Sequence, residues 1–203
     1  MKKIIFTLLM ATFTLNFAKA QDNGILVQFS GNKPNISDYV TAVLQQEEIG
    51  EALGAMAKSW EKHLKGQPID NGCTITVDTK NGYVRYDATL EEENQHNFVE
   101  FCYWNCTDGK HKLVAYNVGV FVNGEYVETE LTGVAFMMYT DKTKRMKYAY
   151  TNELGDEVTW PKSAKLLQVS LPRVGKSIEY VFGTPSGKVT KKLTWNGKKF
   201  VKE

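Results

Sequence analysis

Asn-Gly and Asp-Gly dipeptides at Asn81-Gly82, Asp108-Gly109, Asn123-Gly124 and Asn196-Gly197 each separate two runs rich in Val, Ile, Tyr, Phe and Trp. Such a dipeptide between alternating apolar runs signals a tight β-hairpin, because both central residues of the favoured turn need positive φ. Everything after Gly72 is thereby confined to short antiparallel strands. With Asn81-Gly82 as a two-residue turn, Thr79 falls opposite Val84, Val77 opposite Tyr86, Ile75 opposite Ala88 and Cys73 opposite Leu90. One face is then apolar, while the other pairs Asp78 with Arg85 and Thr74 with Thr89, as a solvated surface does. Asn123-Gly124 sets Val120 against Val127, Val118 against Thr129 and Tyr116 against Leu131, and Asn196-Gly197 sets Leu193 against Phe200. Residues 141–144 and 184–187 carry further turn signals, and residues 25–29 read as an early strand.

The hairpin at Asp108-Gly109 is the most informative. It places Cys106 opposite His111, Trp104 opposite Leu113 and Cys102 opposite Ala115, all on one face. The other face carries Val99, Phe101, Tyr103, Val114, Tyr116, Val118 and Val120. A sheet this apolar on both sides must be covered twice, by other strands and by a helix, or leave one side as a pocket wall.

One segment has helical periodicity. Between residues 36 and 64, Tyr39, Val40, Val43, Leu44, Ile49, Leu53, Met56, Ala57, Trp60 and Leu64 recur at spacings of three and four. Asn35 or Ser37 can cap the start, and Gly66 with Pro68 ends it. Gly50 and Gly54 each cost about 1 kcal/mol relative to Ala, which favours a bend, or a break into two shorter helices, near Gly50. The expected fold is α+β: one long N-terminal amphipathic helix, bent near Gly50, packed on a largely antiparallel, curled sheet or half-barrel of about ten to twelve strands.

The first twenty residues begin with Lys2 and Lys3, run apolar from Ile4 to Phe17 and close on Ala18-Lys19-Ala20. They read as a signal peptide cleaved near Ala20, since the apolar run falls short of the roughly 18 to 20 residues of a spanning helix. The protein is accordingly expected to be secreted or periplasmic, with residues 21–203 as a single extracytoplasmic domain and no transmembrane segment after cleavage. Three of the 25 basic residues lie in that leader, which leaves 22 against 23 acidic ones, a net charge of −1. Bulk charge therefore gives no reason to expect nucleic acid as a partner. The lysines of residues 188–199 and the acidic run Glu91, Glu92 and Glu93 read as solvated surface.

The three cysteines, Cys73, Cys102 and Cys106, leave one unpaired in any disulfide scheme. Cys102 and Cys106 lie four apart on a strand, about 13 Å, too far for a mutual disulfide or a shared zinc ion, and no helix N-terminus lowers either thiol. Should a bridge form, the candidate pair is Cys73 with Cys106. No metal or cofactor is expected: the chain has no G-x-S-x-G, no H-E-x-x-H and no Gly-rich phosphate or dinucleotide loop.

The stretches "YWNCTDGKHKLVAYNVGVFVNG", "FMMYTDKTKRM", "SLPRVGKSIEYVF" and "LTWNGKKF" resemble a group of secreted bacterial proteins of unknown function, across most of the mature chain. That resemblance implies no activity and supplies no functional residue. Two readings follow from the residues themselves. The first is a non-catalytic secreted domain that binds a small apolar ligand or a partner protein, with Phe98, Trp104, Phe121, Met137 and Tyr139 as candidate groove-lining residues, together with Met138. The alternative is a metal-dependent or Cys/His-based hydrolase around His96, Cys106 and His111, which requires His96 to lie near His111.

Overall fold

The computed structural model describes residues 23–203; the leader and its cleavage site lie outside them. In place of one long helix there are three short ones, α1 (Ile36–Leu44), α2 (Glu47–Ala52) and α3 (Gly54–Leu64). The expectation of an α+β domain on a long helix is thus corrected: the chain is mostly β. The reason lies in two places. Gln46 is extended (φ −72, ψ 126), and Gly50 is pressed so close to the end of α1 that a Cβ there would lie 2.5 Å from the Leu44 carbonyl oxygen. Leu53 then ends α2 and starts α3. A straight helix of that length would run about 43 Å; the two breaks instead let the apolar stripe follow a curved sheet. Asn35 caps α1, accepting from the Ser37 amide at 2.7 Å, while Asp38 accepts from the Asn35 amide at 2.7 Å.

The strands are β1 (Ile25–Leu26), β2 (Cys73–Asp78), β3 (Tyr83–Leu90), β4 (Gln95–Asn105), β5 (His111–Val122), β6 (Glu125–Tyr126), β7 (Gly133–Thr140), β8 (Arg145–Ala149), β9 (Lys165–Ser170), β10 (Ser177–Thr184), β11 (Gly187–Trp195) and β12 (Phe200–Lys202). They form two antiparallel sheets: a curled eight-stranded one ordered β1-β8-β7-β5-β4-β3-β2, with β6 beside β5, and a four-stranded one ordered β12-β11-β10-β9.

The central hairpin has the register read from its turn, with Cys102 opposite Ala115 and Trp104 opposite Leu113. Two other hairpins are displaced by two residues. Val77 pairs with Val84 and Cys73 with Ala88, while Leu193 pairs with Lys202 and Trp195 with Phe200. Longer loops, closed by side chains, account for both shifts. Asp78 accepts from the Asn81 amide (3.1 Å) and side chain (2.9 Å), and Asn196 accepts from the amides of Lys198 (2.9 Å) and Lys199 (3.0 Å). A two-residue shift leaves every side chain on its original face, so the apolar faces survive. At Asn123-Gly124 the turn forms, but pairing stops beyond Val127, where the chain reverses again at residues 129–132. Tyr116 and Val118 therefore pair with Ala135 and Gly133 of β7, not with Leu131 and Thr129.

Both faces of the large sheet are covered. Against one lie the helices, in a core that includes Val40, Val43, Met56, Trp60, Phe101, Val114 and Met137. Against the other lies the small sheet, whose Val169, Ile178, Phe182, Leu193, Trp195 and Phe200 meet Tyr83, Cys102, Trp104, Leu113 and Ala115. Trp60, 2% exposed, packs in the first core and donates its indole N–H to Thr41 at 2.9 Å.

Candidate functional site

Strands β3, β4 and β5 lie side by side, and on the face toward the small sheet their side chains form cross-strand rows. The first row, Tyr83, Cys102 and Ala115, is core. The second is Arg85, Glu100 and Asn117; the third, Asp87, Phe98 and Gly119; the fourth, Thr89, His96 and Phe121. Passing along the rows, the surface changes from dry to polar to an open cleft.

The second row holds a buried carboxylate. Glu100, 2% exposed, accepts four hydrogen bonds: from Tyr83 Oη (2.7 Å) and Arg85 Nη1 (2.9 Å) on Oε1, and from Asn117 Nδ2 (3.1 Å) and the Leu171 amide (2.9 Å) on Oε2. Asn117, fully buried, also donates to the Val169 carbonyl at 2.9 Å. Two side chains of the large sheet thus grip the backbone at the end of β9. A buried charge is tolerated only when it is paired and its oxygens are satisfied, and here both are. Burial, and then the Glu100 charge beside it, raise the Tyr83 hydroxyl well above its ordinary range, so it remains a donor.

Arg85 joins the second row to the third. Its guanidinium meets Asp87 through Nε (2.8 Å to Oδ2) and Nη2 (2.7 Å to Oδ1). Burial works against the guanidinium charge, but Asp87 and Glu100 outweigh it and hold the group protonated. Burial likewise opposes the Asp87 charge, yet the bonds from Arg85 and then His96 lower its pKa below the ordinary value. His96 Nε2 lies 2.9 Å from Asp87 Oδ1, and the ionised carboxylate makes that nitrogen the donor. The guanidinium also stacks on Phe98, 4.4 Å from the ring centroid. Gly119 makes room beneath: a Cβ there would stand 2.3 Å from Phe98 Cε1.

The fourth row, with Phe98 of the third and Arg85 of the second, floors a cleft of about 550 Å³ between the end of the large sheet, the loop carrying Glu91 and Asn94, and Gln168 at the edge of the small sheet. Half-buried Phe121 gives it an aromatic wall, Phe98, 1% exposed, borders it from beneath the Arg85 guanidinium, and Arg85 and His96 give it a polar base.

Of the candidate groove residues, then, Phe98 and Phe121 line this cleft, on the small-sheet side. Trp104, 5% exposed, lies in the core between the sheets, and Met137 and Tyr139, 0% and 1% exposed, are buried on the opposite, helix-covered face. Met138 meets the Cys106 sulfur at 3.8 Å, at the far end of the hairpin. All three cysteines are free. Cys73 packs toward the helix-side core and Cys106 toward the inter-sheet core, so the sheet itself separates the candidate disulfide pair. Burial raises the thiol pKa of both Cys102 and Cys106, helped by Glu100 and Asp108 respectively, which disfavours the reactive thiolate.

The trio His96, Cys106 and His111 does not assemble. His96 lies at one end of β4 and Cys106 just past the other, about 30 Å away along the strand. His111, beside Cys106, contacts Asp108 instead, and among the described residues no group of three His, Cys, Asp or Glu side chains could hold a metal ion.

Glu100, Asn117 and Asp87 were not singled out by sequence, although the signal was present, and Arg85, expected opposite Asp78 on a solvated face, instead pairs with Asp87 and Glu100 beneath the small sheet, while Asp78 meets Arg173. The register of the Asp108-Gly109 hairpin already set Glu100 opposite Asn117 on the same face as Cys102, two polar residues amid apolar neighbours. Among the described residues no helix is long and apolar enough to cross a membrane. No family model, curated protein or solved structure matches this chain.

Proposed function

We propose that the protein is a non-catalytic extracytoplasmic binding domain that takes a small ligand in the cleft between Phe98, Phe121, His96 and Gln168. The observation that carries this reading is the cleft itself. Its volume of about 550 Å³ falls within the range of small-molecule sites, and aromatic walls over a few fixed polar groups are the usual composition of such sites. Its base is preorganised, because Glu100 and Asp87 hold Arg85, and Asp87 holds His96. A ligand then loses little affinity to side-chain ordering. The extracytoplasmic location rests on the leader of residues 1–20.

Native mass spectrometry of protein purified from the periplasm tests the reading, alongside the T89W variant, whose indole fills the cleft from β3. A small molecule retained by the wild-type protein and lost from T89W is the expected result. Equal retention by both proteins would place the ligand elsewhere and contradict the assignment.

A further inference from the structure

Four strands end the two sheets, and three of them are short or engaged. β1 has two residues. On β12, Phe200 donates its amide to the Leu154 carbonyl and its own carbonyl accepts from the Asp156 amide, while β9 is gripped at its end by Asn117 and Glu100. The fourth, β2, has six residues, Cys73–Asp78. The Thr89 amide donates to the Gly72 carbonyl at 2.8 Å, so the alternation of an antiparallel ladder turns the backbone groups of Thr74, Thr76 and Asp78 toward β3. Cys73, Ile75 and Val77 turn theirs outward. The Cys73 amide is used on the Asp70 carbonyl at 3.1 Å, but among the described residues nothing meets the N–H and C=O of Ile75 and Val77.

Edges of this kind are normally blunted by Lys, Pro or a bulge. The run from Cys73 to Val77 has no charge and no proline, and its register with β3 is unbroken. The helices leave Ile75 and Val77 half-buried, and Thr74 and Thr76 stand exposed on the other face.

We propose that this edge is an interaction surface for a second copy of the same chain, with the two β2 strands pairing antiparallel about a two-fold axis at Ile75. The strand is complementary to itself in that register. Ile75 faces the partner's Ile75 and Cys73 faces the partner's Val77, so residues with outward-turned backbone groups meet one another. Thr74 faces the partner's Thr76, a favourable cross-strand pair, and no like charges stand opposite. The ends match too. Asp78 is balanced by Arg173 and Asp70 by Lys62, which leaves Lys80 at one end of the edge and the turn of Glu91, Glu92 and Glu93, which follows β3, at the other. The two-fold axis brings the basic end of each copy to the acidic end of its partner. A foreign extended peptide would find the same backbone groups, but these side-chain and charge matches belong to this sequence.

Sedimentation velocity of the exported protein, from about 1 to about 500 μM and with a reductant because the cysteines are free, tests the proposal. The expected result is a monomer–dimer equilibrium, with exchange of the Ile75 and Val77 amides slowing as the dimer forms. Two variants change exposed side chains only, and circular dichroism checks that each keeps its fold. T74K/T76K sets Lys against Lys twice across the axis, and T74E/T76E sets Glu against Glu; each should weaken the dimer at least about tenfold. An equimolar mixture of the two should restore it, because Lys then faces Glu. A wild-type protein that stays monomeric throughout, with or without affinity for added extended peptides, would overturn the proposal. So would a double-Lys dimer as tight as the wild type, or a mixture no tighter than either variant alone.

Discussion

The two faces of the large sheet are buried by different means. Toward the helices, contact is chiefly apolar: α1 and α3 place Val40, Val43, Met56 and Trp60 on Phe101, Val114 and Met137, the Trp60 bond to Thr41 joins helix to helix, and buried Ser59 meeting the Tyr86 hydroxyl is a polar link to the sheet. Toward the small sheet, an apolar core of Trp104, Leu113, Phe182, Trp195 and Phe200 is crossed by a polar clamp, in which Glu100 and Asn117 reach across to the Leu171 amide and the Val169 carbonyl. Apolar packing is non-directional and tolerates volume-conserving exchange. The clamp is directional: it fixes which residue of β9 meets which residue of β4 and β5. What lies past the clamp is the cleft, which opens over the fourth row of Thr89, His96 and Phe121.

This contrast can be broken by substitution. Removing the centre of the clamp with Glu100→Ala strips one bond each from Tyr83, Arg85, Asn117 and the Leu171 amide, and should cost about 3–5 kcal/mol in urea unfolding. The sharper comparison is between conservative changes. Glu100→Gln keeps the shape but puts an NH₂ among four donors, and should cost about 2–3 kcal/mol. Met137→Leu, fully buried on the helix side, should cost less than about 1.5 kcal/mol. Equal costs for the two would mean that the faces do not differ in the way described.

Gly119→Ala is expected to cost about 1–3 kcal/mol, since Phe98 must leave its place over the new methyl group and move toward the cleft. Thermal unfolding measures the loss, and an unchanged melting temperature would show that the ring has room elsewhere.

The smallest effect belongs to acid. The folded pKa of Asp87 lies below its ordinary value, with burial opposing the shift and the Arg85 and His96 bonds driving it. The unfolded chain therefore takes up this proton first as pH falls. The contribution is present above about pH 4 and is lost as the pH drops through the lowered folded value. Asp78 and Asp108, both held at about 2, titrate over the same window, so the measurable quantity is the difference in acid slope between wild-type protein and Asp87→Asn. The variant should be the flatter of the two.

The strand content and the central register were legible because Asp108-Gly109 and the alternation around it determine faces and partners together, but the two apolar faces left open whether the second was covered or a pocket wall, and the second sheet that covers it was not foreseen. The shifts at Asn81-Gly82 and Asn196-Gly197 were not, because Asp78 and Asn196 close longer loops through side-chain bonds that no dipeptide rule contains. The helix breaks were half legible. Gly50 marked the weak point, but only the close approach to Leu44 made it a break. At the site, Phe98 and Phe121 could be named from the apolar second face of the hairpin. Trp104, Met137 and Tyr139 have the same composition and differ only in what covers them, which is a property of distant strands and helices. The ion pair of Arg85 with Glu100 depends on β3 lying beside β4 in a register set by the loop at residues 91–94, which contains no hairpin dipeptide, whereas its pair with Asp87 joins two residues of one face of β3.

The clamp has one reporter that serves no other purpose. The Leu171 amide lies just past the end of β9 and donates to the Glu100 carboxylate. Native-state hydrogen exchange at that single N–H, in wild-type protein and in Glu100→Gln, measures the bond directly. The expected result is strong protection in the wild type, falling sharply in the variant while amides of α1 and the β4–β5 ladder keep theirs. A Leu171 amide that exchanges freely in the wild-type protein would contradict the account, because the carboxylate could not then be holding the small sheet in place.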